Sequence, residues 1–322
     1  MDFAQWTGSQ RWRYALKPAS WPKLLVPCAL GQVLGAVSAG RLEWRALLLG
    51  LGFVVCDLVF IVCLNDWGDQ AVDRLKRQMF PNGCSPKTIP DGILPASALL
   101  KVGLGAGLAA AALCVGGQLW FAARPDALGD ARPGLAGFGV ASLLIFVAYS
   151  LPPLKLNYRG GGELLEMLGV GVALPWLNFY MQRGALCDRW LWPLAGFALL
   201  SLASAVASGL SDEVSDREGG KRTLASLAGN RVTRRAAEGA LLLGAAAWFV
   251  SDLVALKAGY VGGAGALVAL VYAARALRVS PGATTSEFAA QGEYKRLLHA
   301  GVWLGALALC AAALVWAGLR SG

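Results

Sequence analysis

Stretches of about twenty apolar residues, long enough to cross a bilayer core as a helix, recur along this chain near 22–40, 46–64, 98–121, 135–151, 163–181, 190–210, 236–256, 258–275 and 297–319. That much apolar surface cannot be hidden in one soluble core. The expected fold is an all-α, multi-pass bundle of about nine transmembrane helices, forming a single domain over residues 1–322. The seventh and eighth windows are parted only by a few residues around Lys257, so the edges of the eighth are the hardest to place. Composition agrees: 56 % of the 322 residues are hydrophobic, only 15 % are charged, and mean hydropathy is +0.53. A Trp-, Arg- and Lys-rich segment precedes the first stretch, so a cleaved signal peptide is not expected.

The formal charge of +9 is unevenly spread. With the N-terminus in the cytoplasm, most of the 29 Lys and Arg fall in cytoplasmic segments, as the positive-inside rule requires. Cations clustered beside apolar spans account for the basic balance without nucleic acid, which is not an expected partner. The expectation is therefore an integral protein of a bacterial inner (plasma) membrane, with the lipid bilayer around it and its site facing the cytoplasm. The seven cysteines, Cys28, Cys56, Cys63, Cys84, Cys114, Cys187 and Cys310, form no CxxC pair and mostly lie in apolar spans; they read as small packing residues. The 41 glycines suit close helix packing.

The two longest cytoplasmic loops, 65–97 and 211–235, also hold the acidic clusters. Asn65-Asp66-Trp67-Gly68-Asp69-Gln70-Ala71-Val72-Asp73 closes the second span. If the helix continues, Asn65, Asp69 and Asp73 share one face at i, i+4 and i+8, with Asp66 beside them. Like charges at that spacing repel, so a cation belongs there. Mg²⁺, which is held by a few carboxylates plus substrate phosphates, fits best. Asp212 and Asp216 repeat the spacing after the sixth span, Ser204 and Ser208 continue their face into the membrane, and Gly219-Gly220-Lys221-Arg222-Thr223 offers a cradle for diphosphate oxygens. Asp57 lies two turns below Asn65 on the same face and is expected at the base of the substrate cavity. Between these motifs, Tyr149-Ser150-Leu151-Pro152-Pro153-Leu154-Lys155 stops the fourth span. His299, at the start of the ninth, reads as an interfacial residue.

Asn65-Asp66-x-x-Asp69-x-x-x-Asp73, together with Asp212-x-x-x-Asp216 and Gly220-Lys221-Arg222-Thr223, resembles the paired aspartate motifs of the UbiA superfamily of membrane prenyltransferases. The Tyr149-Ser150-x-Pro152-Pro153-x-Lys155-Leu156 stretch is similar to its homogentisate- and chlorophyll-type branches. Where many members carry an Arg-Pro-Leu-x-Ser-Gly-like segment, this chain reads Ser85-Pro86-Lys87-Thr88-Ile89-Pro90-Asp91-Gly92, with Lys87 as the phosphate contact. The resemblance implies that the helices surround a central cavity, with two Mg²⁺ ions held by Asp66, Asp69, Asp73, Asp212 and Asp216, Tyr149 completing the catalytic set and a cytoplasmic cap over the site. Asn65, Arg77, Lys87, Lys155, Lys221 and Arg222 are assigned to the diphosphate. It further implies ionisation of an allylic isoprenyl diphosphate and transfer of the prenyl group to an aromatic or quinone-precursor (quinol) acceptor. Trp67, Phe146, Tyr149, Trp176 and Phe179 are candidates to shield the cation. A related membrane terpene cyclase, closing the chain on itself without acceptor, is the competing expectation; a transporter lacks support from broken midplane helices or inverted repeats.

Overall fold

The computed structural model describes residues 5–82, 85–124 and 131–321; Cys84 lies outside them. After a short helix α1 (Gly8–Ala15) come α2 (Pro22–Ala39), α3 (Trp44–Gly68) and a separate α4 (Gln70–Met79). Then follow α5 (Ala96–Ala123), α6 (Leu135–Ser150), α7 (Gly162–Glu166), which runs through a π-helical stretch, Met167–Ala173, into α8 (Leu174–Arg183), and α9 (Pro193–Ser208). The short α10 (Glu213–Glu218), α11 (Leu224–Ser251), α12 (Val261–Val279) and α13 (Phe288–Ser321) complete the chain. Among the described residues no strand forms; one isolated bridge joins Arg159 to Arg222.

Among the described residues eight helical segments are long and apolar enough to cross a membrane, and α6 is a ninth, shorter apolar helix of 16 residues. The nine expected spans thus correspond to these eight segments and the shorter α6. Two helices run well beyond their apolar windows. α11 starts at Leu224, where Thr223 and Ser226 form a reciprocal capping box, and α13 starts at Phe288. Their extra turns are polar, and an apolar window is blind to them.

Both aspartate motifs sit where helices break. α3 ends at Gly68, with Asp69 (φ −97°, ψ 5°) between it and α4, although backbone bonds from Asp69 to Asn65 and from Asp73 to Asp69, both 2.9 Å, keep the i to i−4 register. After α9 a 3₁₀ turn, Gly209–Asp212, precedes α10. The uninterrupted helical exit expected from the spacing is therefore replaced by two kinked exits. Each kink tips a short amphipathic helix over the end of the bundle.

Small residues let the helices approach. A Cβ on Gly31 of α2 would stand 2.1 Å from the Pro175 carbonyl oxygen of α8, and one on Gly262 of α12 the same distance from that of Trp248 in α11. Gly31→Val is expected to lower stability by about 1–3 kcal/mol through overpacking, read as a lower unfolding temperature in detergent; an unchanged temperature would contradict the close approach. Two large apolar clusters result, one built on α9, α11, α12 and α13 and the other on α3, α5 and α6, with α2 and α8 contributing to both, and a small third one gathers Ala15, Cys63 and Leu99.

Candidate active site

The two motifs, more than 130 residues apart, meet through ion pairs. Lys76 of α4 pairs with Asp212, and Lys221, beyond α10, donates to Asp69 Oδ2 at 2.8 Å. Lys17, in the left-handed region (φ 47°) just before α2, reaches Asp66. Lys87 pairs with Asp73 and also feels Asp212 and Asp66. Neutral donors finish the set: Thr88 Oγ1 donates to Asp66 Oδ2 at 2.6 Å, Asn157 Nδ2 to Asp69 Oδ1 at 3.3 Å, and Thr223 Oγ1 to Asp216 Oδ2 at 3.3 Å.

Most of these charges are out of bulk water, with Asp212 and Lys17 the more open members. Asp66 and Asp216 are each 3 % exposed and Lys76 2 %, so removing one partner leaves an uncompensated buried charge. Burial works against the Lys87 ammonium, but Asp212, Asp73 and Asp66 hold its pKa above that of a free lysine. Burial likewise opposes Lys221, which Asp69, Tyr149 and Asp216 carry well above the ordinary value. Burial also raises the pKa of Asp73, more than Lys87 lowers it. The site end of the bundle is therefore a lattice of alternating carboxylates and ammonium groups.

The expected residues divide into two groups. Asp66, Asp69, Asp73, Asp212, Asp216, Lys87 and Lys221 are drawn together, and Lys155 joins them at the edge, donating to the Gly68 carbonyl at 2.9 Å with its ammonium 3.8 Å from the Tyr158 ring centre. Asn65 and Tyr149 line the adjoining cavity. Arg77, expected at the diphosphate, instead forks onto Asp91 through Nε and Nη2, both at 2.7 Å. Arg222 is exposed and bonds Tyr158 through its backbone. Of the aromatics, Phe146 and Tyr149 stack at 5.6 Å beside the cavity, while Trp176 packs on Phe138 and Tyr180, and Phe179 is in the core; neither Trp67, Trp176 nor Phe179 lines the cavity. Lys17, Lys76, Thr88, Asn157 and Tyr158 were not singled out by their sequence context. Lys17 carried one signal, a lysine before a proline where a span begins.

Two cavities open from this lattice. The first, about 250 Å³, runs between α3, α6 and the π-helical stretch from Asn65 and Asp66 down to Asp57, where the sequence placed the base of a substrate cavity. The second, about 900 Å³, lies between the α1–α2 turn, α9 and α13, and is lined by Ser204, Ser208, Lys295 and His299. Both share Lys17, Ser20 and Lys23. His299, expected at the membrane interface, thus also lines a cavity.

A family model for the UbiA prenyltransferase family matches residues 24–295. The chain belongs to the UbiA prenyltransferase family. Solved structures agree in fold. A UbiA homologue from Archaeoglobus fulgidus bound to DMAPP and Mg²⁺ superposes with a TM-score of 0.66 at 15 % identity, covering 94 % of this chain and 99 % of that one. The same homologue bound to GPP and Mg²⁺ gives 0.66 at 14 % over the same shares. A structure concerning digeranylgeranylglyceryl phosphate synthase gives 0.58 at 13 %, over 95 % and 99 %. No curated protein sequence matches significantly. As a UbiA family member the chain is a membrane-embedded enzyme that transfers prenyl groups.

Asp91 anchors the Lys87 loop. Besides Arg77 it accepts from Tyr14 Oη at 2.5 Å and from the Lys87 backbone at 3.1 Å, and these donors hold its pKa below the usual carboxylate range against the opposing effect of burial. Asp91→Ala should release the loop and raise the KM for a prenyl diphosphate about tenfold, roughly 1.4 kcal/mol, with a smaller change in kcat. A KM equal to wild type would show that the loop needs no such anchor.

Proposed function

We propose that this chain is a Mg²⁺-dependent prenyltransferase that ionises an allylic isoprenyl diphosphate and passes the prenyl group to an aromatic or quinone-precursor acceptor within the membrane, with the site facing the cytoplasm. The observation that carries this reading is the convergence of Asp66, Asp69 and Asp73 with Asp212 and Asp216 through Lys76 and Lys221, with Asp66 at the mouth of the cavity that runs down α3. Among the described residues no three carboxylates close a metal cage by themselves. That suits Mg²⁺, which takes one or two carboxylates and completes its shell with water and phosphate oxygens. When bound, Mg²⁺ would neutralise charge developing on the departing diphosphate.

The remaining work falls to the chain's own groups. Lys17, Lys87 and Lys221 already pair with the carboxylates, so an arriving diphosphate can exchange places with those carboxylates as their partner. They would hold its oxygens as the C1–O bond lengthens. Phe146 and Tyr149 present stacked faces beside the cavity mouth, where they would shield an allylic cation and exclude water. The apolar first cavity suits the donor's hydrocarbon chain. The second cavity, joined to it at Lys17 and Lys23, offers room for a separate acceptor, which supports transfer over cyclisation. Purified protein should accordingly release diphosphate from a prenyl donor with Mg²⁺ only when an acceptor is added. A cyclic hydrocarbon formed from the donor alone would replace this assignment with a terpene cyclase.

A further inference from the structure

Asp57 takes no part in the lattice above, and its position asks for a role. It stands on the face of α3 that carries Asn65 and Ile61, eight residues deeper than Asn65, or about 12 Å at the helical rise, and all three line the first cavity. It is 8 % exposed. Among the described residues no hydrogen bond or ion pair reaches its carboxyl group, and neither oxygen is among the occluded, unsatisfied polar atoms; the group opens into the cavity. Ser142 of α6 lines the same cavity two turns below Tyr149, its hydroxyl donating to the Phe138 carbonyl at 3.0 Å. The walls between these residues and the mouth are apolar, with Ile61, Phe146 and Leu174 among them. The cavity therefore has a charged mouth, an apolar shaft and a polar floor.

We propose that Asp57 is that floor and sets the length of the prenyl donor at about two isoprene units, an inference that rests on the prenyl-diphosphate reading above. Extended chain advances about 1.2 Å per bond, so a four-carbon isoprene repeat spans about 5 Å, and two repeats fill the shaft. A third repeat would press its methyl groups against an open carboxyl group, stripping its water and supplying no hydrogen bond in return. The ten-carbon donor is accepted because its tail stops short of Asp57.

The test is kcat/KM for geranyl, farnesyl and geranylgeranyl diphosphate with Mg²⁺, using the full-length wild type and the Asp57→Ala, Asp57→Leu and Asp57→Asn variants. Wild type should favour geranyl diphosphate. Asp57→Ala should raise the geranylgeranyl-to-geranyl ratio at least tenfold. Asp57→Leu, branched like aspartate but apolar, should shift it in the same direction and serves if the alanine variant does not fold, while Asp57→Asn should keep the wild-type order. Donor ratios unchanged in both apolar variants, or a wild type equally active on the twenty-carbon donor, would overturn the inference while leaving the function standing. A folded wild type with no Mg²⁺-dependent binding of any of the three donors overturns the function itself, and the inference with it.

Discussion

Replacing Asp66 by alanine should reduce turnover of a prenyl diphosphate at least a thousandfold, about 4 kcal/mol of transition-state stabilisation, and the same loss is expected for Asp216→Ala. Asp66 is where the lattice meets the donor cavity: it holds Lys17 and Thr88 and is 3 % exposed. Its loss removes an oxygen available to Mg²⁺ and strands the Lys17 ammonium, so binding and chemistry fail together. Circular dichroism and elution as a monodisperse detergent complex would establish that the variant is folded. Activity within tenfold of wild type in the folded Asp66→Ala protein would place the reacting diphosphate elsewhere.

Lys87→Met is the second large effect, and its signature is a pH dependence. Burial already raises the pKa of Asp73, and the Lys87 charge and hydrogen bond are what pull it back. Without Lys87 that pKa climbs further. A carboxyl group must be ionised to take a divalent cation, so the variant's activity should fall as pH drops through the newly raised value, at a higher pH than in the wild type. The loss should be about a hundredfold at mildly acidic pH and should shrink as pH rises or Mg²⁺ is increased. Lys87→Arg, which keeps the charge, should hold the wild-type profile. A pH-independent loss of the same size in Lys87→Met would mean that Lys87 acts on substrate alone and not through Asp73.

The membrane helices were legible because lipid imposes one rule along the whole chain: about twenty apolar residues per crossing. Their polar extensions were not, since the first turns of α11 and α13 carry Thr, Ser, Asn, Glu and Lys and stabilise themselves by caps and partners rather than by apolar burial. The aspartates announced themselves through a spacing that leaves like charges on one helix face. The lysines that answer them did not, because Lys17 pairs with a residue 49 positions away and Lys76 with one 136 away, and neither separation has a period. Arg77 shows the converse: its place in a basic loop beside the motif suggested a phosphate contact, whereas Asp91, whose role as a loop anchor no pattern reveals, takes its Nε and Nη2 and the Pro81 carbonyl takes Nη1. Asp57 was visible as a charge inside an apolar span, but only the fold shows that it opens into a cavity with no partner.

The central claim is that the two aspartate segments act together on one diphosphate, and it is tested most directly by measuring diphosphate release from geranyl diphosphate in detergent-purified protein with an aromatic acceptor. Wild type with Mg²⁺, wild type with a chelator, and the Asp66→Ala, Asp212→Ala double variant would be compared. Release that needs Mg²⁺, returns when the chelator is titrated with excess Mg²⁺, and vanishes in the folded double variant is the predicted result. Release that continues at the wild-type rate in the double variant would contradict it.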